Sequence, residues 1–214
     1  MDVLVAGAHG KVGQHVTELL AGSEHGVRGM VHDPKYAADI EALDAEPVVA
    51  DLTDPVSLPD AVGGCDAVVF AAGSSGADVW GVDCEGAKHL VDAAGDAGAD
   101  RFVMLSAMNA DAPEEGPEEL REYLRAKAEA DAYLRESDRT DTIVRPGALT
   151  DDPGTGRVRT GRDLDRGEGT IPREDVAETL VTALPMASTH GVTFEVLSGD
   201  DPIERALDDP VDDA

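Results

Sequence analysis

The chain has 214 residues, a length that suits one domain able to bury about 70% of the surface exposed by the unfolded chain. Its formal net charge of −28 would repel nucleic acids and anionic lipid surfaces, so neither is expected as a partner. The charge arises from 28 Asp and 17 Glu against 13 Arg and 4 Lys, a composition that resembles cytosolic proteins of extreme halophiles. Because 42% of the residues are apolar and fall in periodic blocks, an acidic disordered chain is excluded.

The cysteine and histidine content further narrows the class of protein. Two cysteines, Cys65 and Cys84, are too few for a disulfide scaffold, and the six histidines are scattered without metal-ligand spacing. We therefore expect no structural metal. The first residues lack the pattern of a secretory signal, and the longest apolar run, 67–72, is too short to span a bilayer. These features predict a cytoplasmic protein.

Short apolar runs alternate along the chain with segments of helical period, which is typical of a parallel sheet covered by helices on both faces. The predicted strands are 2–6, 27–31, 47–50, 66–71, 101–106, 141–145 and 192–197. The predicted helices are 11–21, 35–43, 55–62, 79–97, 117–137 and 173–184. The pattern predicts a single α/β domain over residues 1–207, with a doubly wound, Rossmann-type parallel sheet in three α/β/α layers.

Two segments fit neither the strand pattern nor the helical period. Residues 146–170 are rich in Gly, Asp, Thr and Arg and follow the sixth predicted strand, at the sheet edge where open α/β folds bind ligands. We interpret them as a small segment on the substrate side. Residues 208–214 form an acidic tail with little to bury, and we expect it to be disordered.

The first predicted strand leads directly into three glycines, Gly7, Gly10 and Gly13, and then into a helical pattern. In such a turn, backbone N–H groups at a helix start bind a dinucleotide pyrophosphate, which can approach closely only where no Cβ intervenes. Gly7 would form the tight turn, Gly10 would allow close approach, and Gly13 would let the helix pack on the strand. Taken alone, the motif is also compatible with an ordinary strand-to-helix turn.

The end of the second predicted strand lies about twenty residues further on, where an adenosine ribose is expected. His32, Lys35 and Lys11 could form a cationic pocket there for a 2′-phosphate, which would favour NADP. Asp33 could oppose that pocket by binding the 2′-hydroxyl of NAD, or it could cap the helix that begins at Pro34. The cluster therefore predicts NADP or NAD as the cofactor, with a slight preference for NADP.

Two further strand ends border the same expected site. Asp51 and Leu52 follow the third strand and would reach the adenine edge, although Asp51 is equally compatible with an ordinary turn. The fourth strand ends in small residues, Ala71, Ala72 and Gly73, which leave room for a cofactor. Two such openings on one sheet favour a dinucleotide over a flexible loop.

Tyr123 and Lys127 lie four residues apart in a predicted helix, so their side chains share one face. A lysine ammonium lowers the pKa of a neighbouring phenol, which could then donate or accept a proton near neutral pH. A surface tyrosine and lysine packed on a helix would show the same spacing. Because the chain has only four lysines, this position favours a role in catalysis.

These motifs occur together in one known family. The chain resembles an atypical short-chain dehydrogenase/reductase of the NAD(P)-binding, NAD-dependent epimerase/dehydratase-like group. The resemblance covers nearly the whole chain, and the joint match is far more specific than any one motif. The matching stretches are GAHGKVG at 7–13, DAVVFAAG at 66–73, RFVMLS at 101–106, YLRAK at 123–127, IVRPGALT at 143–150 and IPREDVA at 171–177.

The resemblance implies a set of cofactor contacts. The nicotinamide ribose would be bound by Lys127, and Pro146 would close over the nicotinamide. Relatives often carry Arg where this chain has His32, which weakens the implied preference for NADP. The pyrophosphate would be held by Gly7, His9, Gly10, Lys11 and Val12, and the ribose would be flanked by Ala71, Ala72 and Gly73.

The resemblance also implies how catalysis would proceed. Tyr123 would protonate the substrate oxygen, Lys127 would lower the pKa of the Tyr123 phenol, and Ser106 would help to orient the substrate. Two residues depart from the family pattern. Ala107 stands where extended members place a catalytic hydroxyl, and Asp83 stands where many members carry Asn.

We therefore expect an NAD(P)-binding oxidoreductase that transfers a hydride to or from a small carbonyl or alcohol. A sugar-nucleotide epimerase or dehydratase is the alternative within the enzymes, although those proteins usually have a larger C-terminal substrate domain. A non-catalytic redox sensor or assembly factor is favoured by Ala107 and disfavoured by Tyr123 and Lys127. A flavin- or quinone-type reductase would need no phenol. The expected partner is a small-molecule substrate, and the protein would be a monomer or a homodimer.

Overall fold

A computed structural model describes residues 1–165 and 169–211 of the chain. Its strands are β1 (Asp2–Ala6), β2 (Gly26–Val31), β3 (Glu46–Val49), β4 (Ala67–Phe70), β5 (Arg101–Leu105), β6 (Thr140–Pro146), β7 (Ala148–Thr150), β8 (Arg157–Gly161), β9 (Thr170–Pro172), β10 (Val192–Ser198) and β11 (Asp201–Pro202). Its α-helices are α1 (Lys11–Ala21), α2 (Ala37–Glu41), α3 (Leu58–Val62), α4 (Gly86–Ala97), α5 (Arg121–Glu136), α6 (Arg173–Ala183) and α7 (Ile203–Ala206).

The main sheet of the described residues has nine strands in the order β11-β8-β10-β6-β5-β4-β1-β2-β3. Strands β1 to β6 and β10 are parallel, whereas β8 and β11 form the antiparallel edge. The chain proceeds outward from β1 to β3 and then returns to β4 on the other side of β1. This reversal is the switch point at which doubly wound folds bind their ligands.

Each face of the sheet carries its own apolar core because side chains alternate along the strands. Val3 and Val5 of β1 face one core, which also contains residues of α1 and α6. Leu4 and Ala6 face the other core, together with residues of α3, α4 and α5. The prediction of a three-layer, Rossmann-type α/β domain is confirmed. No helix within the described ranges is long and apolar enough to cross a membrane.

Every predicted strand and helix is present, with shifts of a few residues at its ends. The helix predicted at 79–97 begins with a π-helical segment, Val79–Glu85, that continues into α4. The helix predicted at 117–137 begins with a 3₁₀ turn, Glu118–Leu120, before α5. Sequence periodicity missed β7, β8, β9 and β11.

The segment 146–170 is more regular than a loop. Strand β8 pairs antiparallel with β10 and extends the main sheet, while β7 and β9 form a small parallel sheet of their own. Asp175 fixes the connection between β7 and β8 by accepting hydrogen bonds from the N–H groups of Thr155 and Gly156. Residues 166–168 of the segment lie outside the described residues.

The acidic tail is packed further than its composition predicts. Leu207 and Pro210 are buried, and Val211 packs against the core that α1 and α6 share with the sheet. The packed chain therefore extends past residue 207, the predicted end of the domain. Residues 212–214 lie outside the described residues.

Candidate functional site

The glycine turn after β1 has the geometry that close approach of a ligand requires. Gly7 has φ +81°, and a Cβ on it would lie 2.5 Å from the Cα of Ala72. A Cβ on Gly13 would lie 2.1 Å from the carbonyl oxygen of Gly7, so only glycine lets α1 pack this close to the turn. Gly10 is the N-cap of α1, and a Cβ there would meet the same oxygen at 3.2 Å.

The first turn of α1 is electrostatically prepared for an anion. No side chain caps it, and it contains no acidic residue. The N–H groups at a helix start have no partner within the helix and carry the positive end of its dipole. The N–H of Gly10 donates to the carbonyl of Gly7, so an anion held here would receive the N–H groups of the first turn from Lys11 onward, while the Val12 side chain faces the core.

The ends of β1 and β4 form a common crevice at the switch point. Ala71 donates its N–H to the carbonyl of Ala6, which joins the two strand ends, and Ala72 lies directly beside Gly7. Ala71 and Ala72 are half-buried and Gly73 is exposed. The two strand ends that the sequence indicated separately are thus adjacent in the structure.

At the end of β2, the rings of His9, His32 and Tyr36 pack together, an arrangement that the sequence did not reveal. The ring of His9 stacks on Tyr36, with centroids 3.7 Å apart, and His32 meets the same ring edge-on at 5.8 Å. The Nε2 of His9 lies 3.2 Å from Asp39 Oδ2. The side chain of His9 therefore lies on the side where the adenosine is expected, so only the backbone of His9 could contact the pyrophosphate.

Asp33 caps the 3₁₀ turn at Pro34 by accepting the N–H of Lys35 at 3.0 Å. Its other oxygen lies 2.6 Å from the ammonium of Lys35. Hydrogen bonding from Lys35 lowers the pKa of Asp33 and raises that of Lys35. The capping alternative for Asp33 is confirmed, and the cation next to His32 is already paired with it.

The predicted cluster of Lys11 with His32 and Lys35 is wrong. The ammonium of Lys11 lies 2.6 Å from Asp151 Oδ2, and Arg173 binds the other oxygen of Asp151 at 2.6 Å. Lys11 is the first residue of α1, and α1 packs against α6. Its side chain therefore reaches Asp151, which Arg173 of α6 also binds. Lys11 therefore stays beside the phosphate-binding turn and away from the end of β2.

Asp51 and Leu52 follow β3 as expected, but the Asp51 side chain is engaged locally. Its Oδ1 accepts the N–H and the hydroxyl of Thr53, both at 2.8 Å, and these bonds lower its pKa. The alternative of an ordinary turn residue therefore fits the Asp51 side chain. Leu52 is buried, and its carbonyl lies 3.0 Å from Nδ1 of His89 on α4.

Tyr123 and Lys127 lie one turn apart on α5, with the Lys127 ammonium 5.8 Å from the centre of the Tyr123 ring. Lys127 is buried, and it donates to the carbonyl of Leu105 at the end of β5 at 3.1 Å. Asp83 of the π-helical segment lies 3.7 Å from the same ammonium. The predicted pair is therefore a triad, because a carboxylate accompanies the cation.

Ser106, for which the resemblance predicts an orienting role, is bonded to a buried carboxylate. Its buried hydroxyl donates to Asp131 Oδ2 at 2.9 Å, and Arg145 binds that same oxygen through Nε and Nη2 at 3.1 and 3.0 Å. Burial raises the pKa of Asp131, and Arg145 opposes this shift. This network joins β5, α5 and β6, so the structure gives Ser106 a structural partner in place of a substrate.

Sequence periodicity missed both members of that ion pair. Two signals were present: Arg145 directly follows the apolar pair Ile143 and Val144 in the strand, and Asp131 lies one helical turn after Lys127. Pro146 ends β6 at the carboxyl edge of the sheet and is buried there. That edge is where the nicotinamide is expected.

A group of potential metal ligands lies on the same two elements as Asp83 and Lys127. Cys84, Glu85 and Glu129 lie close enough to share an ion. However, the ammonium of Lys88 lies 2.8 Å from Glu85 Oε1 and 3.2 Å from Glu129 Oε2. These two carboxylates already have a cation, and burial raises the pKa of the Cys84 thiol.

Comparison with known proteins agrees with this geometry. Residues 7–186 match a family described as NAD(P)H-binding. YhfK of Bacillus subtilis, named an uncharacterised sugar epimerase, is 40% identical over 213 residues, which cover 97% of this chain and 99% of YhfK. A solved structure from Bacillus halodurans, assigned as an NAD-dependent epimerase/dehydratase, has a TM-score of 0.92 and 35% identity, covering 97% of this chain and 98% of its own.

The solved structure of the oxidoreductase ylbE from Lactococcus lactis has a TM-score of 0.87 and 26% identity, and the match covers 97% of this chain and 95% of ylbE. The relatives thus span the chain from end to end and carry both epimerase and oxidoreductase names. The resemblance inferred from the motifs is confirmed. The chain belongs to the NAD(P)H-binding family of Rossmann-fold proteins, within its epimerase/dehydratase-like and reductase-like members.

Proposed function

We propose that this protein is an NAD(P)H-dependent reductase that transfers a hydride to a small carbonyl compound. The observation that carries the proposal is the placement of Tyr123 beside the buried ammonium of Lys127, next to the end of β5. The uncapped start of α1 and the crevice at Gly7 support the cofactor half of the proposal. When bound, the dinucleotide supplies the hydride.

The residues of the chain supply binding, orientation and a proton. The N–H groups of the first turn of α1, from Lys11 onward, hold the pyrophosphate, and Lys127 contributes an N–H donor to the nicotinamide ribose. Tyr123 donates its phenolic proton to the oxygen that becomes negative as the carbonyl is reduced. The neighbouring positive charge of Lys127 stabilises the phenolate that remains.

We propose a modest preference for NADP over NAD. His32 is exposed at the end of β2 and can approach a 2′-phosphate, but an imidazole offers fewer N–H donors than the guanidinium of an arginine. The neighbouring Lys35 is already paired with Asp33. A 2′-phosphate would therefore have to compete for its cation, which limits the gain over a hydroxyl.

A second candidate is an epimerase, favoured by the names of YhfK and of the Bacillus halodurans structure. Such an enzyme would use the same Tyr123 and Lys127 but would oxidise and re-reduce one carbon without net consumption of NAD(P)H. Net oxidation of the cofactor therefore separates the two candidates.

The test is a screen of the purified protein in molar KCl for NADPH and NADH oxidation with carbonyl, quinone and flavin panels. Tyr123→Phe is expected to lower carbonyl reduction by roughly 10²–10⁴ with little effect on cofactor affinity, because it removes a general acid and keeps the ring. Tyr133→Phe is the matched control, since Tyr133 lies on the same helix and donates to Asp92 on the surface. Activity that survives in Tyr123→Phe would refute the acid role. Cofactor binding without any turnover would favour the redox sensor.

A further inference from the structure

The deepest charged pair beside the proposed site is Asp83 with Lys127. Their side chains are 1% and 2% exposed, and the ammonium lies 3.7 Å from Asp83 Oδ1. The other oxygen of Asp83 accepts the N–H and the hydroxyl of Ser74, at 3.1 and 2.7 Å. One carboxylate thus joins the loop after β4, the π-helical segment and α5.

This carboxylate also lies directly under the expected ribose position. A Cβ on Gly73 would meet Asp83 Oδ1 at 3.2 Å, so the loop that would flank the ribose rests on the charged oxygen. An ammonium has three N–H donors. The carbonyl of Leu105 accepts one of those donors of Lys127, and Asp83 attracts the ammonium from 3.7 Å as an ion-pair partner, so a donor remains for a ribose hydroxyl.

An amide at position 83 could satisfy Ser74 but could not balance the charge of Lys127. A buried cation without a counterion is costly. We propose that Asp83 is a positioning residue: its carboxylate holds the ammonium of Lys127 at the end of β5, and thereby presents an N–H donor to the nicotinamide ribose. This inference rests on the proposed function, because it assigns a task to Lys127 in cofactor binding.

Other charged groups face Lys127 from the elements around it. Tyr123 and Asp131 lie one turn before and one turn after it on α5, and Arg145 of β6 binds Asp131. Asp131 also attracts the charge of Lys127, but its Oδ2 is held by Arg145 and the hydroxyl of Ser106, whereas Asp83 lies within ion-pair distance of the ammonium.

The test measures NADPH and NADH affinity by calorimetry. Asp83→Asn should weaken both by roughly ten- to a hundredfold, because the ammonium of Lys127 is no longer held in place for its hydrogen bond to the ribose. In a Lys127→Met background the same substitution should change the affinity by less than about twofold, because Asp83 acts through Lys127. Asp92→Asn, on the exposed side of α4, is the matched control and should behave like the wild type. An affinity of Asp83→Asn equal to that of the wild type, or an equal loss in the Lys127→Met background, would overturn the proposal.

A folding measurement keeps the proposal testable if Asp83→Asn does not fold. Adding Lys127→Met removes the unbalanced cation, so the double variant should regain a cooperative melting transition. A double variant that stays unfolded would show that the pairing of charges is not what Asp83 provides. If the folded wild type binds neither dinucleotide, the proposed function fails, whereas the melting result still decides whether Asp83 balances Lys127.

Discussion

Replacement of Gly10 by alanine should separate cofactor binding from folding. Gly10 has φ −67°, which alanine adopts freely, and its added Cβ would meet one atom, the Gly7 oxygen, at 3.2 Å. The cost to folding should therefore stay below about 1 kcal/mol. The methyl group would occupy space at the helix start that the pyrophosphate needs. Losing one hydrogen bond to a charged group costs about 1.5–3 kcal/mol, which corresponds to a roughly 10- to 150-fold loss of affinity.

Gly13→Ala should show the opposite behaviour. Its Cβ would lie 2.1 Å from the Gly7 oxygen and 3.0 Å from Ala8 Cα, so the turn must shift. Overpacking of this kind costs about 1–3 kcal/mol, more than the gain of about 1 kcal/mol that alanine brings to a helix interior. Gly13→Ala should therefore melt at a lower temperature, even before cofactor is added.

Calorimetry with NADPH and NADH in molar KCl, together with denaturant unfolding, distinguishes these effects. Gly22→Ala is the control, because Gly22 ends the same helix with φ −73° and its Cβ would have ordinary contacts of 3.5 Å or more. That control should match the wild type in both assays. If Gly10→Ala binds both dinucleotides as tightly as the wild type, the start of α1 does not hold the pyrophosphate.

Four further outcomes follow from the charges. His32→Arg should strengthen NADPH binding relative to NADH, and an unchanged ratio in calorimetry would show that the end of β2 does not face the ribose. Asp151→Asn frees Lys11 from an exposed pair. It should therefore raise the affinity for NADPH by only about two- to threefold in dilute salt, and calorimetry in molar salt should show no gain. Arg101→Met should lower the free energy of unfolding by about 3–5 kcal/mol in urea, because the carbonyls of Ala183 and Leu184 lose their buried donor. A decrease in the free energy of unfolding below about 1 kcal/mol would contradict this role of Arg101. Melting temperature should rise steeply from dilute buffer to molar KCl, given the net charge of −28, and a flat response would refute adaptation to salt.

The regular part of the fold could be predicted because it depends on local periodicity. Strand β8 could not, since Val158 is its only large apolar residue and one face of an antiparallel edge strand needs no apolar side chains. The pairing of Lys11 with Asp151 was equally hidden, because it joins residues 140 positions apart. Glycine spacing and the four-residue spacing in α5 located the site. They could not reveal that Ser106 is held by Asp131, which only the packing of α5 on β5 and β6 determines.

The four lysines of this strongly acidic chain have one feature in common, which bears on how an anionic cofactor binds. Each is paired with a carboxylate: Lys11 with Asp151, Lys35 with Asp33, Lys88 with Glu85 and Glu129, and Lys127 with Asp83. The pairs of Lys11 and Lys35 are exposed, so salt weakens them and also weakens their attraction for phosphates. The pair of Lys127 is buried and is screened far less. In molar salt, backbone N–H groups at the start of α1 and the buried Lys127 would therefore supply most of the cofactor affinity, because neither depends on an exposed charge.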